Sequence, residues 1–82
     1  MDLILAEDAQ KHYKKLSKVE QAKIKKKLTS LSKDPYAGKK LEGELNERRS
    51  LSAWPYRIIY SVNKKEKRIE VSGILHRQGA YK

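Results

Sequence analysis

The sequence predicts an α+β domain: a short N-terminal strand, a two-helix antiparallel hairpin and a three-stranded antiparallel meander. Three observations carry that expectation. Apolar residues recur at helical spacing through the first part of the chain, where Ala9, Tyr13 and Leu16, then Ile24, Leu28 and Leu31, each mark a stripe. The second part holds short runs rich in β-branched and aromatic residues at 56–62 and 68–75, and 48–52 alternates in the same manner. Between the last two runs lies Asn63-Lys64-Lys65-Glu66-Lys67, a polar stretch suited to a hairpin loop.

In chain order, Leu3-Ile4-Leu5 is a brief apolar run that leads straight into Ala6-Glu7-Asp8-Ala9, where two acidic residues fall in the first turn of a helix and oppose its positive end. Ser17-Lys18-Val19-Glu20 is a capping box: the serine oxygen accepts an orphan amide three residues on, and the glutamate reaches back to the serine amide. A second helix starts there. Its apolar face is Ile24, Leu28 and Leu31 with Ala22 beside it, while Lys23, Lys25, Lys26 and Lys27 cover much of the rest. Asp34-Pro35 ends it, because proline disfavours helical dihedrals in the residue before it. With almost nothing between them, the two helices form a hairpin that packs on the sheet. Residues 35–47 show no periodicity and are either a functional loop or hold a turn of helix.

With 82 residues, the chain is expected to form one domain, 1–82, with a small core. Its 20 Lys plus Arg against 10 Asp plus Glu give a net charge of +10, a field that favours nucleic acid or a strongly acidic protein as partner. The lack of cysteine excludes a disulfide scaffold, a thiol nucleophile and a cysteine metal site. Two isolated histidines without clustered carboxylates give no basis for a metal, and no cofactor is expected. No apolar run reaches membrane-spanning length and the N-terminus lacks a signal-peptide pattern, so the expectation is a cytoplasmic protein with no membrane partner.

Side chains alternate across a strand, so register decides which residues share a face. If 63–67 is the loop, Val62 pairs with Arg68, Gly73 lies opposite Arg57, and Arg77 shares the face of Arg57. If 52–55 forms the preceding turn, Leu51 pairs with Tyr56, Ser50 lies opposite Arg57, and Arg48 joins the same face. Three arginines then converge, a set suited to phosphate because each guanidinium offers a planar fork of donors and keeps its charge. Glu42, Glu44 and Glu47 are the competing ion-pair partners, and Glu70 falls on the opposite face by this parity. Gly73 either leaves space for a phosphate or marks a bulge. Ile59, Ile69, Val71 and Leu75 share the arginine face and form an apolar landing place for a partner segment. Leu51, Ile58, Tyr60, Val62 and Ile74 occupy the other. His12 reads as solvated, Trp54 as packing at the hairpin rather than stacking on a base, and Tyr13, Tyr56 and Tyr60 as core.

Asp34-Pro35, Lys40-Leu41-x-Gly43, Leu51-x-x-x-x-Tyr56-Arg57-Ile58-Ile59-Tyr60 and His76-Arg77-x-x-x-Tyr81 together resemble the RelE/ParE superfamily of type II toxin–antitoxin toxins. The resemblance covers nearly the whole chain and points to the RelE branch, with its compact fold like that of microbial ribonucleases. It implies a ribosome-dependent endoribonuclease that cuts messenger RNA in the decoding site, with mRNA, the ribosome and a cognate antitoxin as partners. Carried over by position, Arg57 and Arg77 match the phosphate-binding and transition-state-stabilising arginines, and Tyr81 the catalytic tyrosine. Arg48 and Ser50 match two positions that are lysine in the best-known member; Arg48 keeps that charge and Ser50 does not. His76 is assigned a supporting or acid–base role. The alternatives implied are a ParE-like DNA gyrase inhibitor, whose members do not generally keep the arginine-to-tyrosine ending, and a non-catalytic RNA-binding relative.

Overall fold

The computed structural model describes residues 2–40 and 48–76. Its elements are β1 (Asp2–Leu5), α1 (Glu7–Lys14), α2 (Lys18–Lys33), β2 (Lys39–Lys40), β3 (Arg48–Ala53), β4 (Tyr56–Asn63) and β5 (Arg68–His76). The strands form a five-stranded sheet in the order β1-β5-β4-β3-β2. The expected meander β3–β4–β5 is its centre, with β1 added in parallel beside β5 and β2 antiparallel beside β3.

Both helices begin as their sequences dictate. Ser17 caps α2 with both arms of the capping box in place, Glu20 N–H donating to Ser17 Oγ and Ser17 N–H to Glu20 Oε1. Glu7 and Asp8 occupy the first turn of α1, where Gln10 Nε2 ties back to the Leu5 carbonyl. The helices are stitched together by Gln21 Nε2 donating to the Tyr13 carbonyl and the Tyr13 hydroxyl donating to the Gln21 carbonyl. Ala9, Ile24, Leu28 and Leu31 are buried against Ile58, Tyr60, Val62, Ile69, Val71 and Ile74 of the sheet. Each large aliphatic side chain so buried contributes about 1.5–3 kcal/mol relative to exposure.

The segment after α2 is held down rather than free. The buried Tyr60 hydroxyl accepts from Gly38 N–H and donates to the Pro35 carbonyl, both at 2.9 Å. Arg49 lies 4.9 Å over the Tyr36 ring and donates to the Gly38 carbonyl. Gly38 is required here because an added Cβ would lie 2.5 Å from the Tyr60 oxygen. Of the two readings of 35–47, a functional loop or a turn of helix, the described part 35–40 holds no helix and forms this strap and β2; 41–47 lie outside the described residues.

Two details of register differ from the sequence expectation. The β3–β4 turn is Trp54-Pro55 alone, so Tyr56 pairs with Ala53, not Leu51, and Arg57 with Ser52, not Ser50. The offset is two residues, which preserves the faces. In the β4–β5 hairpin Asn63 itself pairs with Arg68, and Asn63 Oδ1 accepts from Glu66 N–H across the turn. That one-residue shift reverses the faces of the first part of β5: Ile69 and Val71 are buried under the helices, and Glu70 lies on the open face opposite Ser61. A bulge between the Tyr60–Val71 and Ile59–Gly73 pairs reverses them again. Gly73 therefore marks the bulge and lies opposite Ile59 rather than Arg57.

The bulge also accounts for His12. Its Nδ1 accepts the Ile74 amide at 3.2 Å, and its ring would lie 3.4 Å from a Cβ added at Gly73. His12 is a structural plug on β5, not a solvated residue.

Candidate active site on the open sheet face

The helices cover one face of the sheet, and the other carries Arg48 and Arg57. Directly paired residues share a face, so Arg48 with Ser61, Ser50 with Ile59 and Ser52 with Arg57 all point away from the helices. Arg57 is exposed between Ser52 and Leu75, its two cross-strand neighbours, neither of which bears charge. Among the described residues no carboxylate pairs with Arg57 or Arg48. Glu70, now on this face, is engaged by Arg68 Nε at 3.2 Å. Arg48 and Arg57 do not meet at one point: strand geometry separates their Cα atoms by about 14 Å along a diagonal of the face. They fit successive parts of an extended polyanion rather than one phosphate oxygen. Arg77 and Tyr81 lie outside the described residues, as do Glu42, Glu44 and Glu47.

The apolar part of the face is smaller than expected. With Ile69 and Val71 in the core, Ile59 and Leu75 remain, half-buried, and Ile4 of β1 adds a 46% exposed side chain at the far edge. Trp54 is 59% exposed at the turn, more open than a packing role predicts, and its carbonyl accepts from Lys23 Nζ.

His76 lies on the helix-covered face, away from Arg57. It is paired with Tyr56, whose ring meets it edge-on at 5.2 Å between centroids and 85° between planes. The Tyr56 hydroxyl donates to Glu20 Oε2 at 2.8 Å, so the capping carboxylate of α2 also fastens the end of the sheet from which Arg77 follows. The Tyr56 hydrogen bond first, and the Ser17 amide second, hold the Glu20 carboxyl below its ordinary value of 4.5; the same bond raises the Tyr56 phenol above 10.0. A carboxyl depressed on folding contributes stability above its unfolded value and loses it as pH falls through the folded one. Native protein should therefore lose melting temperature more steeply than Glu20→Gln between about pH 6 and about pH 3. Parallel curves would contradict this linkage.

Burial raises the Tyr60 phenol above 10.0 as well, which keeps it a hydroxyl and bars it from acting as a base. Tyr13 is half-buried between the helices, so none of these three tyrosines is available to a substrate on the open face. Among the described residues no group of His, Asp and Glu is arranged to hold a metal ion, and no helix is long and apolar enough to cross a membrane. Sequence reasoning missed Lys39, which pairs with Ser50. A two-residue strand has no periodicity to reveal it.

This architecture has known counterparts. Residues 3–81 match the family model described as the ParE toxin of the type II toxin–antitoxin system parDE. No individually curated protein matches the sequence. Among solved structures, the isolated RelE toxin of E. coli is 27% identical, with 92% of this chain and 82% of that one covered and a TM-score of 0.74. The RelE–RelB complex of the archaeon Pyrococcus horikoshii gives 24% identity, 93% coverage of each chain and a TM-score of 0.82. A YoeB/ParE toxin from Agrobacterium tumefaciens shares the fold at 20% identity, covering 93% of this chain and 98% of that one, with a TM-score of 0.78. With the two helices on one side of the sheet and an open cationic face on the other, the chain belongs to the ParE toxin family of type II toxin–antitoxin systems, within the RelE/ParE superfamily.

Proposed function

We propose that this toxin is an endoribonuclease acting on ribosome-bound message, with its open sheet face as the active site. The observation that carries the reading is Arg57, exposed on that face and without a carboxylate partner among the described residues. A guanidinium in that state is ready to take a phosphate, whereas a structural arginine is already engaged.

The reaction requires the ribose 2′-oxygen to bond to the adjacent phosphorus while the bond to the 5′-oxygen breaks. A base takes the 2′ proton, an acid protonates the leaving oxygen, and cations hold the charge that builds on the equatorial oxygens. The products are a 2′,3′-cyclic phosphate and a 5′-hydroxyl. Arg57 and Arg77 are assigned to the equatorial oxygens, and Arg48 to a neighbouring phosphate. Tyr81 is assigned to proton transfer: a free phenol, with a pKa of about 10, needs such cations beside it to become a base near neutral pH.

The same face is where an antitoxin would act. RelE of P. horikoshii was solved with RelB, which supports a partner of that kind here. An antitoxin segment with acidic and apolar residues can cover Arg57, Ile59 and Leu75 together. Ile59→Asp should weaken antitoxin binding about tenfold or more, read by calorimetry, because it places a charge in the apolar part of the contact. Unchanged affinity would move the antitoxin to another surface.

The match to the ParE model favours a second reading, inhibition of DNA gyrase without message cleavage. Primer extension on ribosome-bound message, run beside a gyrase cleavage assay, separates the two. Message cuts support the ribonuclease; gyrase-dependent DNA breaks without them support the second reading; RNA binding with neither supports a non-catalytic relative.

A further inference from the structure

Ser50 leaves a gap in the cationic face, since it supplies no charge at the level midway between Arg48 and Arg57 along the strand axis. β2 fills that level from the side. Lys39 pairs directly with Ser50, and antiparallel partners project to the same face with Cβ atoms about 4.5–5.5 Å apart. An independent contact fixes the orientation of β2. A side chain on Gly38 would point at Tyr60, on the helix-covered side, so the alternation of a strand sends Lys39 to the open side and Lys40 back. Lys40 accordingly pairs with Arg49, which stacks on Tyr36. Lys39 is exposed, and no described carboxylate pairs with it. By strand geometry its Cα lies about 8 Å from that of Arg48, and about 12 Å from that of Arg57.

We propose that Lys39 supplies, from the edge strand, the ammonium that Ser50 does not, and contacts the scissile RNA phosphate together with Arg57. This rests on the ribonuclease reading of the same face. The strap explains how a residue on so short a strand is placed: the Tyr60 hydroxyl fixes the backbone at Pro35 and Gly38, one residue before Lys39. Lys39 is thus carried by a buried anchor, and only its flexible side chain is free to follow the substrate.

Two readouts test it. Binding of a single-stranded 2′-O-methyl RNA, which cannot be cut, is measured against salt for native protein, Lys39→Ala, Lys40→Ala and Arg57→Ala. Removing one cation that neutralises a phosphate should reduce the slope of log affinity against log salt by about 0.7. Lys39→Ala and Arg57→Ala should each show that reduction, and Lys40→Ala should not. In ribosome-bound cleavage, Lys39→Ala should slow cutting about 100-fold, as expected when a donor to the developing charge is removed. The exchange Lys39→Ser with Ser50→Lys, which returns the amine to the same level from the neighbouring strand, should bring the rate back to within about tenfold of native. A native slope and native rate in Lys39→Ala, with Arg57→Ala impaired, overturn the role of Lys39 and leave the site standing. A reduced slope in Lys39→Ala, from a native protein that cuts no message, keeps Lys39 as a phosphate ligand and overturns the ribonuclease reading. An exchange that stays as slow as Lys39→Ala overturns the equivalence of the two positions.

Discussion

Arg57→Ala should slow cutting of ribosome-bound message by about 100- to 1000-fold, the usual cost of removing one preorganised donor to a developing oxyanion. The same variant should fold normally. Arg57 is exposed and flanked by Ser52 and Leu75, and it anchors no described carboxylate, so its removal costs charge rather than packing. Substitutions of that kind stay within about 0.5 kcal/mol of native stability. Arg57→Lys separates charge from geometry: it keeps the cation but loses the planar fork that holds two phosphate oxygens, so its rate should fall between native and Arg57→Ala. The check is single-turnover primer extension beside a thermal melt. A native rate in Arg57→Ala would remove the substrate from this face; an abolished rate with a collapsed melt would make the arginine structural.

The largest stability effect from removal of a single atom is expected at Tyr60→Phe. The ring is fully buried, and its hydroxyl both accepts the Gly38 amide and donates to the Pro35 carbonyl. Phenylalanine keeps the packing and leaves a backbone donor and a backbone acceptor unmatched, at a cost of about 1–3 kcal/mol. For a domain of this size each kcal/mol lowers the melting temperature by about 4–8 °C. Hydrogen exchange at the Gly38 amide should rise in the same variant, because that amide loses its acceptor. A melt within error of native would mean that the strap is held by other contacts, with Arg49 and its Gly38 hydrogen bond the first to test.

Residue pattern carries the helices and the face they bury. Ile24, Leu28 and Leu31 recur at the spacing of one helical stripe, and the box at Ser17 and Glu20 marks the start of α2 by the chemistry of its own caps. β4 and β5 of the meander are legible because β-branched and aromatic residues cluster in them, whereas β3 has none and shows only alternation. Register is less legible, because it turns on single residues. The β3–β4 turn is two residues shorter than expected and costs nothing in parity. The β4–β5 loop is one residue shorter, closed by Lys67 at φ 52°, a left-handed position that more often takes glycine. That slip alone would move every later residue of β5 to the other face. Gly73, read as either open space or a bulge, then turns the strand back. Leu75 therefore returns to the face of Arg57, while Ile69 and Val71, which precede the bulge, become core.

Two features had no sequence signal strong enough to read. β2 is a pair of lysines whose strand character comes wholly from backbone pairing with Arg49 and Ser50. His12 sits among lysines on a helix, and nothing in its neighbourhood announces that a bulge sixty-two residues later presents an amide to it. Both are long-range consequences of how the sheet twists and ends, which local patterning does not encode.

Phosphate chemistry on RNA at the open face of the sheet underlies the whole assignment. The decisive experiment incubates purified toxin with ribosome-bound message and determines the end group left on the upstream fragment. A 2′,3′-cyclic phosphate is expected at each cut, with no cut where the attacking 2′-oxygen is methylated. Intact message, under conditions in which the same preparation provokes gyrase-dependent DNA breaks, would overturn the assignment.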